Sequence, residues 1–202
     1  TAMGYETTAS GNYSTAMGYE TTASGNYSTA MGYETTASET ISTAMGYMTT
    51  ASGEFSTAMG RGTTAIGDES TAMGYYTTAS GDFSTAMGFQ TTASGVYSTA
   101  FGRYTTASGV YSTAMGEATR ARDRSSLVIG QYNLLGSTVT NSATDFSTDN
   151  TAFVIGNGAD SNNRSDALVV KFSGDATLAG SITATSFIGD GSQLNNLPLP
   201  FS

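Results

Sequence analysis

The chain contains no cysteine and no histidine among its 202 residues. These absences exclude disulfide bonds, thiolate metal sites and any catalysis that depends on an imidazole. Large aliphatic side chains are scarce as well, because Leu, Ile, Val and Phe together account for 30 residues, and no Leu occurs within residues 1–126. A monomer built from that segment would have almost no apolar core, so we expect its stability to come from association.

The charge balance and the hydropathy exclude further classes of protein. With 16 acidic and 7 basic residues the formal net charge is −9, which argues against nucleic acid as the main partner. No apolar run reaches transmembrane length, so we predict no membrane insertion within this chain. No metal-loop or phosphate-loop pattern occurs, and no cofactor is expected. The sequence begins in mid-pattern at a repeat boundary, which suggests a part of something longer.

What the sequence does contain is a repeat. Residues 1–126 are nine consecutive copies of a 14-residue unit, TAMGYETTASGNYS, without any shift of register. Each unit has two halves that begin T-A-x-G or similar and continue into a polar turn, which is typical of short strands separated by turns. Frequent Gly, Thr and Ser disfavour helix. Each unit is therefore predicted to form one coil of a narrow β-roll, with parallel strands about 4.8 Å apart.

Each position of the unit forms a row along the roll. Ala stands second in every half, as in Ala16 and Ala23, and is predicted to line a lumen too tight for larger side chains. The two Gly rows are predicted to need positive φ at tight corners. The row after the first Ala row points outward and is almost entirely Met, whereas its counterpart in the second half is mainly Ser.

An exposed Met stripe would promote aggregation, so it predicts association with further copies of the same chain. Burying each of these side chains would contribute roughly 1.5–3 kcal/mol. Three rolls about one axis would bury the stripe symmetrically, although the period alone does not decide between a trimer and a dimer. The predicted trimer-interface residues are Met3, Met17, Met31, Met45, Met59, Met73, Met87, Phe101, Met115 and Ile129.

The units STAMGYETTASGNYS resemble the head repeats of trimeric autotransporter adhesins of the YadA type, whose motif has the form SVAIGxxSxATGxxS. The resemblance covers residues 1–133 and, more weakly, 151–156. It implies an all-β, left-handed parallel β-roll, three chains side by side, and a role in attachment. The sequence departs from the motif in having Met where Ile or Val is usual, and Tyr at the corners.

The repeat pattern continues once at residues 127–130 and is interrupted afterwards. Its second half is predicted to return at residues 153–156, which makes 131–151 a loop inserted into the tenth coil. Two apolar runs at 167–171 and 176–179 then predict a β-hairpin. Three regions follow from these patterns, namely the roll 1–133, a cap region 134–180 that holds the inserted loop, the last coil and the hairpin, and an extended connector 181–202 that is similar to connectors in phage, viral and bacterial fibres.

Three surfaces are candidates for ligand binding. Aromatic residues recur at both corners, and they either stack between coils or bind a glycan or protein. A basic cluster at the junction with the cap either forms ion pairs between subunits or binds a sulfated glycan. The inserted loop is the third candidate, because loops carry specificity on rigid scaffolds. The candidate ligand-binding residues are Tyr19, Tyr33, Tyr47, Arg120, Arg122, Arg124, Tyr132 and Asn133.

These observations together predict a homotrimeric fibre head that attaches a bacterial cell or a virion to a glycan or protein of a host or prey cell. The location would be extracellular, either on an outer-membrane-anchored fibre or on a tail fibre. The first alternative is a purely structural shaft whose recognition tip lies elsewhere. Scattered carboxylates leave a glycan-degrading fibre open but unsupported, so we predict no enzyme. The regular Thr and Ser rows also resemble ice-binding surfaces, although such residues simply suit exposed strands.

Overall fold

The computed structural model describes residues 1–136 and 142–186, and the regular elements within them are β-strands. The strands are β1 (Ala2–Tyr5), β2 (Thr8–Ala9), β3 (Thr15–Tyr19), β4 (Thr22–Ala23), β5 (Thr29–Tyr33), β6 (Thr36–Ala37), β7 (Thr43–Tyr47), β8 (Thr50–Ala51), β9 (Thr57–Arg61), β10 (Thr64–Ala65), β11 (Thr71–Tyr75), β12 (Thr78–Ala79), β13 (Thr85–Phe89), β14 (Thr92–Ala93), β15 (Thr99–Arg103), β16 (Thr106–Ala107), β17 (Thr113–Glu117), β18 (Arg120–Ala121), β19 (Leu127–Gln131), β20 (Thr151–Asn157), β21 (Asp166–Lys171) and β22 (Ala176–Leu178). The described residues include no helix with the length and apolarity needed to cross a membrane. Most of the predicted connector falls on residues 187–202, outside the described part of the chain.

The strands form two sheets that run the length of the repeat region. The long sheet has 13 strands, and within the repeats it contains the first strand of every coil; the short sheet has nine strands, one from the second half of each coil. Strands of successive coils pair in parallel with identical positions opposite each other, as in Met17↔Met31 and Ala23↔Ala37. This arrangement confirms the predicted all-β roll of 14-residue coils.

The lumen is filled by small side chains. From Ala16 to Ala121 both Ala rows are fully buried, as predicted. Two further rows are equally buried and were missed by the sequence analysis. They are the seventh position of the unit, such as Thr77, and the fourteenth, such as Ser84. Most hydroxyl groups of the Thr row have no hydrogen-bond partner in the described part of the chain.

Close approach between coils requires Gly in both rows, and the prediction of positive φ holds for only one of them. Gly18 in the first row has a φ of +132°. Gly25 in the second row does not have positive φ, but a Cβ there would lie 1.9 Å from the carbonyl oxygen of Glu39 in the next coil. Close approach between coils therefore explains the second row. Positive φ occurs instead at non-Gly corner residues such as Glu20 (50°) and Tyr27 (57°).

The end of the roll differs from the prediction in one respect. The segment 153–156 does not complete the tenth coil, because β20 stacks in parallel on β19 in the long sheet with Gly130 opposite Gly156. It is the first strand of a following coil, which the insertion has delayed. Val128 and Val154 replace Ala in the lumen there and are fully buried. The expected hairpin forms from β21 and β22, and β21 also pairs antiparallel with β20.

Asn133 terminates the short sheet at β18. Its side-chain oxygen accepts a hydrogen bond from the Arg120 N–H at 2.8 Å, and its amide nitrogen donates to the Arg120 carbonyl at 3.2 Å. The side chain thus takes the place of a strand backbone. Because Asn133 is fully buried, its assignment to an exposed ligand surface is wrong.

Candidate functional site

The first candidate surface is the outward row of the long sheet, which we call the methionine face. It runs from Met3 to Met115, with Phe101 in place of one Met, and continues through Ile129 and Ile155. Strand alternation turns this row away from the Ala row beside it. Met17 and Met31 are each 37% exposed and Phe101 is 48% exposed, although each is paired in register with the equivalent residue of the neighbouring coil. The face is a continuous apolar strip of about 50 Å at the usual strand spacing, and such a strip is typical of an interaction surface.

The aromatic residues of the first corner form a stacked column beside the methionine face. Consecutive Tyr rings have centroids 4.9–5.0 Å apart and nearly parallel planes, and Arg61 lies 5.3 Å from the ring centroids of both Tyr47 and Tyr75. Hydrogen bonding to Glu34 raises the pKa of Tyr33. The column runs through Tyr5, Tyr19, Tyr33, Tyr47, Arg61, Tyr75, Phe89, Arg103 and Glu117.

Stacking has a consequence for ligand binding. Neighbouring rings cover each other's faces, so a ligand would meet ring edges and hydroxyl groups rather than open aromatic faces. This geometry supports a role of Tyr19, Tyr33 and Tyr47 in holding successive coils together. Their role in binding a ligand stays a prediction. The second corner carries a similar but more exposed column, with Tyr97 and Tyr111 stacked at 5.0 Å.

The predicted arginine cluster is divided by the structure. Arg120 and Arg122 lie at the end of the short sheet, two residues apart and therefore on one side of it. Arg124 lies at the corner, where its guanidinium donates to the Thr144 carbonyl at 2.6 Å and covers the Tyr111 ring at 5.0 Å. Arg124 thus anchors the inserted loop.

Arg164 lies near Arg120 and Arg122. Sequence reasoning did not include this residue in the cluster. Its Nη1 donates to the carbonyls of Ala118 and Asn133, both at 3.1 Å. Partial burial, with Arg120 and Arg122 nearby, lowers the pKa of Arg164. No sequence signal placed it there, because it lies outside the repeat and 46 residues after Ala118.

Tyr132 belongs to the packed junction beside this group. Its hydroxyl donates to Glu117 at 3.1 Å, and Arg164 lies 5.6 Å from its ring centroid. Burial and the hydrogen bond to Glu117 raise the pKa of Tyr132. Glu117 also pairs with Arg103 at 2.6 Å, so this carboxylate is already bound within the chain.

The inserted loop folds back along the second corner. The N–H groups of Val110 and Arg124 donate to the carbonyls of Ala143 and Ser142, at 2.8 and 3.2 Å. Asn150 is buried and donates to the Asp145 carbonyl at 3.0 Å. These contacts hold the described part of the loop against the corner. Its role in recognition stays a prediction, and residues 137–141 of the loop lie outside the described part.

Some of the remaining acidic side chains accept hydrogen bonds within the chain. Within residues 1–136 and 142–186, no cluster of three or more acidic side chains could hold a metal ion. The Asp68 carboxylate accepts a hydrogen bond from the N–H of Glu54 in the preceding coil, and the Asp160 carboxylate accepts from the N–H groups of Asn162 and Asn163 in its own turn. Hydrogen bonds from Asn163 and from these backbone groups lower the pKa of Asp160. The outward Thr row of the short sheet is in register, but ice binding stays a hypothesis.

The fold and these surfaces define a repeat protein with a parallel β-solenoid shaft, stacked corner residues and an apolar outward face. The YadA head domain repeat matches this chain at residues 1–21, 9–35, 23–40, 37–63, 65–91, 79–105, 93–119 and 107–133. The chain therefore belongs to the YadA head family, as its motif predicted.

The general properties of this family concern assembly, location and binding. Heads of YadA-type adhesins are homotrimeric, surface-exposed parts of outer-membrane-anchored proteins that bind host surfaces, and the family is one of structural adhesins rather than enzymes. No curated protein sequence matches the chain.

Proposed function

We propose that the chain forms the head of a homotrimeric surface fibre and that this head attaches the fibre to a target cell. In this arrangement the methionine faces of three rolls meet about one axis. The family match supports an adhesin-type head, and the methionine face is the observation that carries the proposed assembly.

Packing energetics favour association through this face. Part of each Met surface is already covered by neighbouring coils, so its burial in an interface would contribute about 1 kcal/mol per coil. Eleven such positions in each chain, from Met3 to Ile155, would contribute on the order of 10 kcal/mol. Along the described coils the lumen is lined mainly by Ala, Thr and Ser side chains with a few Val, which makes this interface a major source of apolar burial.

The assembly is tested by measuring the mass of the purified chain in solution. Light scattering should give three times the chain mass of 20.6 kDa. Met73→Glu should weaken the trimer, because it places a charge in the interface. Ser80→Glu is the matched control, since Ser80 is also half-exposed but lies in the second half of the same coil. A well-folded monomer of the unmodified chain would contradict the proposal.

Attachment is tested separately with the assembled trimer. Fluorescently labelled trimer should bind target cells, and excess unlabelled trimer should compete with it. A folded trimer that binds no cell type would instead favour a structural shaft whose recognition surface lies elsewhere.

A further inference from the structure

We infer that the second corner of the roll carries a binding surface for the arginine side chains of a basic polypeptide. This surface combines exposed aromatic rings with carboxylates from three successive coils, and we call it the acidic–aromatic patch. Its residues are Glu54, Phe55, Asp68, Glu69, Asp82 and Phe83. The inference rests on the proposed attachment function, because it names the class of partner that one surface of the head would bind.

The aromatic column of the second corner is interrupted within this patch. Phe83 stacks on Tyr97 with ring centroids 4.6 Å apart, but its neighbour on the other side is Glu69, followed by Phe55. Phe55, Glu69 and Phe83 have φ values of 55°, 55° and 57°, so their side chains leave the corner in one row. The two Phe residues are two coils apart, or about 9.6 Å at the usual strand spacing. They are 49% and 42% exposed, so a partner can reach both rings.

The first corner shows which group fits between two rings at this spacing. In the same coil, Arg61 interrupts the first column between Tyr47 and Tyr75, which are also two coils apart. Its guanidinium carbon lies 5.3 Å from each ring centroid, as expected of a cation held by electron-rich ring faces. In the second column the chain has the carboxylate of Glu69 instead. Because the ring faces carry partial negative charge, an external cation would be attracted by both rings and by this carboxylate.

The patch concentrates negative charge that the shaft does not balance. Residues 1–102 contain eight acidic residues, of which four belong to the patch, and one basic residue, Arg61. Arg61 stands at the far end of its strand, about 13 Å from the second corner at the usual rise per residue. The Oδ1 atoms of Asp68 and Asp82 accept hydrogen bonds from the N–H groups of Glu54 and Asp68, which holds these carboxylates in a row along the roll. A basic partner would be attracted to this part of the shaft.

The extent of the patch favours several arginine side chains of one polypeptide over a single small cation. The carboxylates are distributed over three coils, or about 10 Å along the roll, and alternate side chains of an extended polypeptide are about 6.6 Å apart. Arginine is favoured over lysine, because its planar guanidinium stacks on rings and forms paired hydrogen bonds with carboxylates. The patch is also separate from the methionine face, since Glu69 precedes Met73 by four residues.

Binding is tested with the assembled full chain by fluorescence anisotropy of a labelled tetra-arginine peptide. We expect binding that weakens as salt is raised, weaker binding of tetra-lysine, and no binding of tetra-lysine whose amino groups are acetylated. Glu69→Phe should raise the urea midpoint, because it completes the stacked column, and should lower the affinity about tenfold, because it fills the gap and removes the carboxylate. Phe55→Leu should lower the affinity about threefold through the loss of one ring.

Matched variants distinguish the patch from the overall charge of the chain. Glu69→Gln and Glu20→Gln each remove one negative charge, but Glu20 lies at the first corner, so only Glu69→Gln should lower the affinity, by about threefold. Tyr27→Leu removes a ring of the same column outside the patch and should leave the affinity unchanged. Circular dichroism and light scattering verify folding and assembly, and Glu69→Gln keeps the test decisive if Glu69→Phe does not assemble.

Each result bears on the inference in a defined way. Unchanged affinity of both Glu69 variants, equal losses in Glu69→Gln and Glu20→Gln, or equal binding of the acetylated peptide would overturn it. Cell attachment is measured in parallel. Attachment that persists undiminished in the Glu69 variants would leave the proposed function intact and reject the patch as its partner-binding surface. Peptide binding at the patch without attachment to any cell would reject the proposed function and leave the patch in place.

Discussion

Replacing Thr77 with Val should stabilise the roll, although Thr occupies this position in nearly every coil. Thr77 is fully buried and its hydroxyl has no hydrogen-bond partner in the described structure. Val has almost the same shape, so the substitution removes an unpaired buried polar group without leaving a cavity. The expected gain in the free energy of unfolding is about 1–3 kcal/mol. For a chain of this length, each kcal/mol raises the melting temperature by about 2–4 °C.

The measurement is the shift of the urea midpoint at constant slope and constant protein concentration, because association also contributes to stability. Thr78→Val is the adjacent control. Thr78 lies on the outward, half-buried row, and its substitution should change stability by less than about 0.5 kcal/mol. A loss of 1 kcal/mol or more in Thr77→Val would refute the reasoning, since it would mean that the hydroxyl is hydrogen-bonded in solution.

The Ser row offers a second, internal test of the same reasoning. Ser42 and Ser84 are both fully buried, but the Ser42 hydroxyl donates to the Glu39 carbonyl at 2.6 Å whereas that of Ser84 has no partner. Ser42→Ala should therefore destabilise the protein by about 1 kcal/mol, and Ser84→Ala should be neutral or stabilising. Equal effects would show that the two hydroxyl groups have the same environment.

Three other substitutions test the packing of the coils and of their end. Ala72→Leu should lower the free energy of unfolding by about 1–3 kcal/mol or more, because a lumen filled by Ala cannot accept three further carbon atoms, and the urea midpoint measures the loss. Gly74→Ala should prevent normal stacking, since a Cβ there would lie 2.1 Å from the Gly88 carbonyl oxygen and φ is +128°; a circular dichroism spectrum and melt like those of the unmodified chain would contradict this. Asn133→Ala should expose the Arg120 N–H and carbonyl at a cost of about 1–3 kcal/mol. Hydrogen exchange should then accelerate at β18 and not at β4.

The repeat region shows why so much of the fold could be predicted. Each side chain of a coil lies against its own copy in the next coil, so the pairing register follows directly from the 14-residue spacing. A row that is Ala in every copy indicates a tight lumen, and the structure confirms this for Ala16 through Ala121. The same reasoning failed for the Thr and Ser rows. Hydroxyl residues suit both lumen and surface, and only the turn geometry decides which way they point.

The junction with the cap shows the opposite case. The sequence marked Arg120, Arg122 and Arg124 as one cluster, but the structure separates Arg124 and adds Arg164. It also buries Asn133 at the end of the short sheet and assigns the segment 153–156 to a following coil.

The sequence by itself determined the roll, its register, its Ala-filled lumen and its outward row of Met, since a strict repeat makes every contact in the shaft a contact between identical positions. Only the tertiary structure decided how the shaft ends and which basic side chains meet there. Those contacts join residues 13 to 46 positions apart without any period, and their partners are selected by chain geometry that no local pattern records.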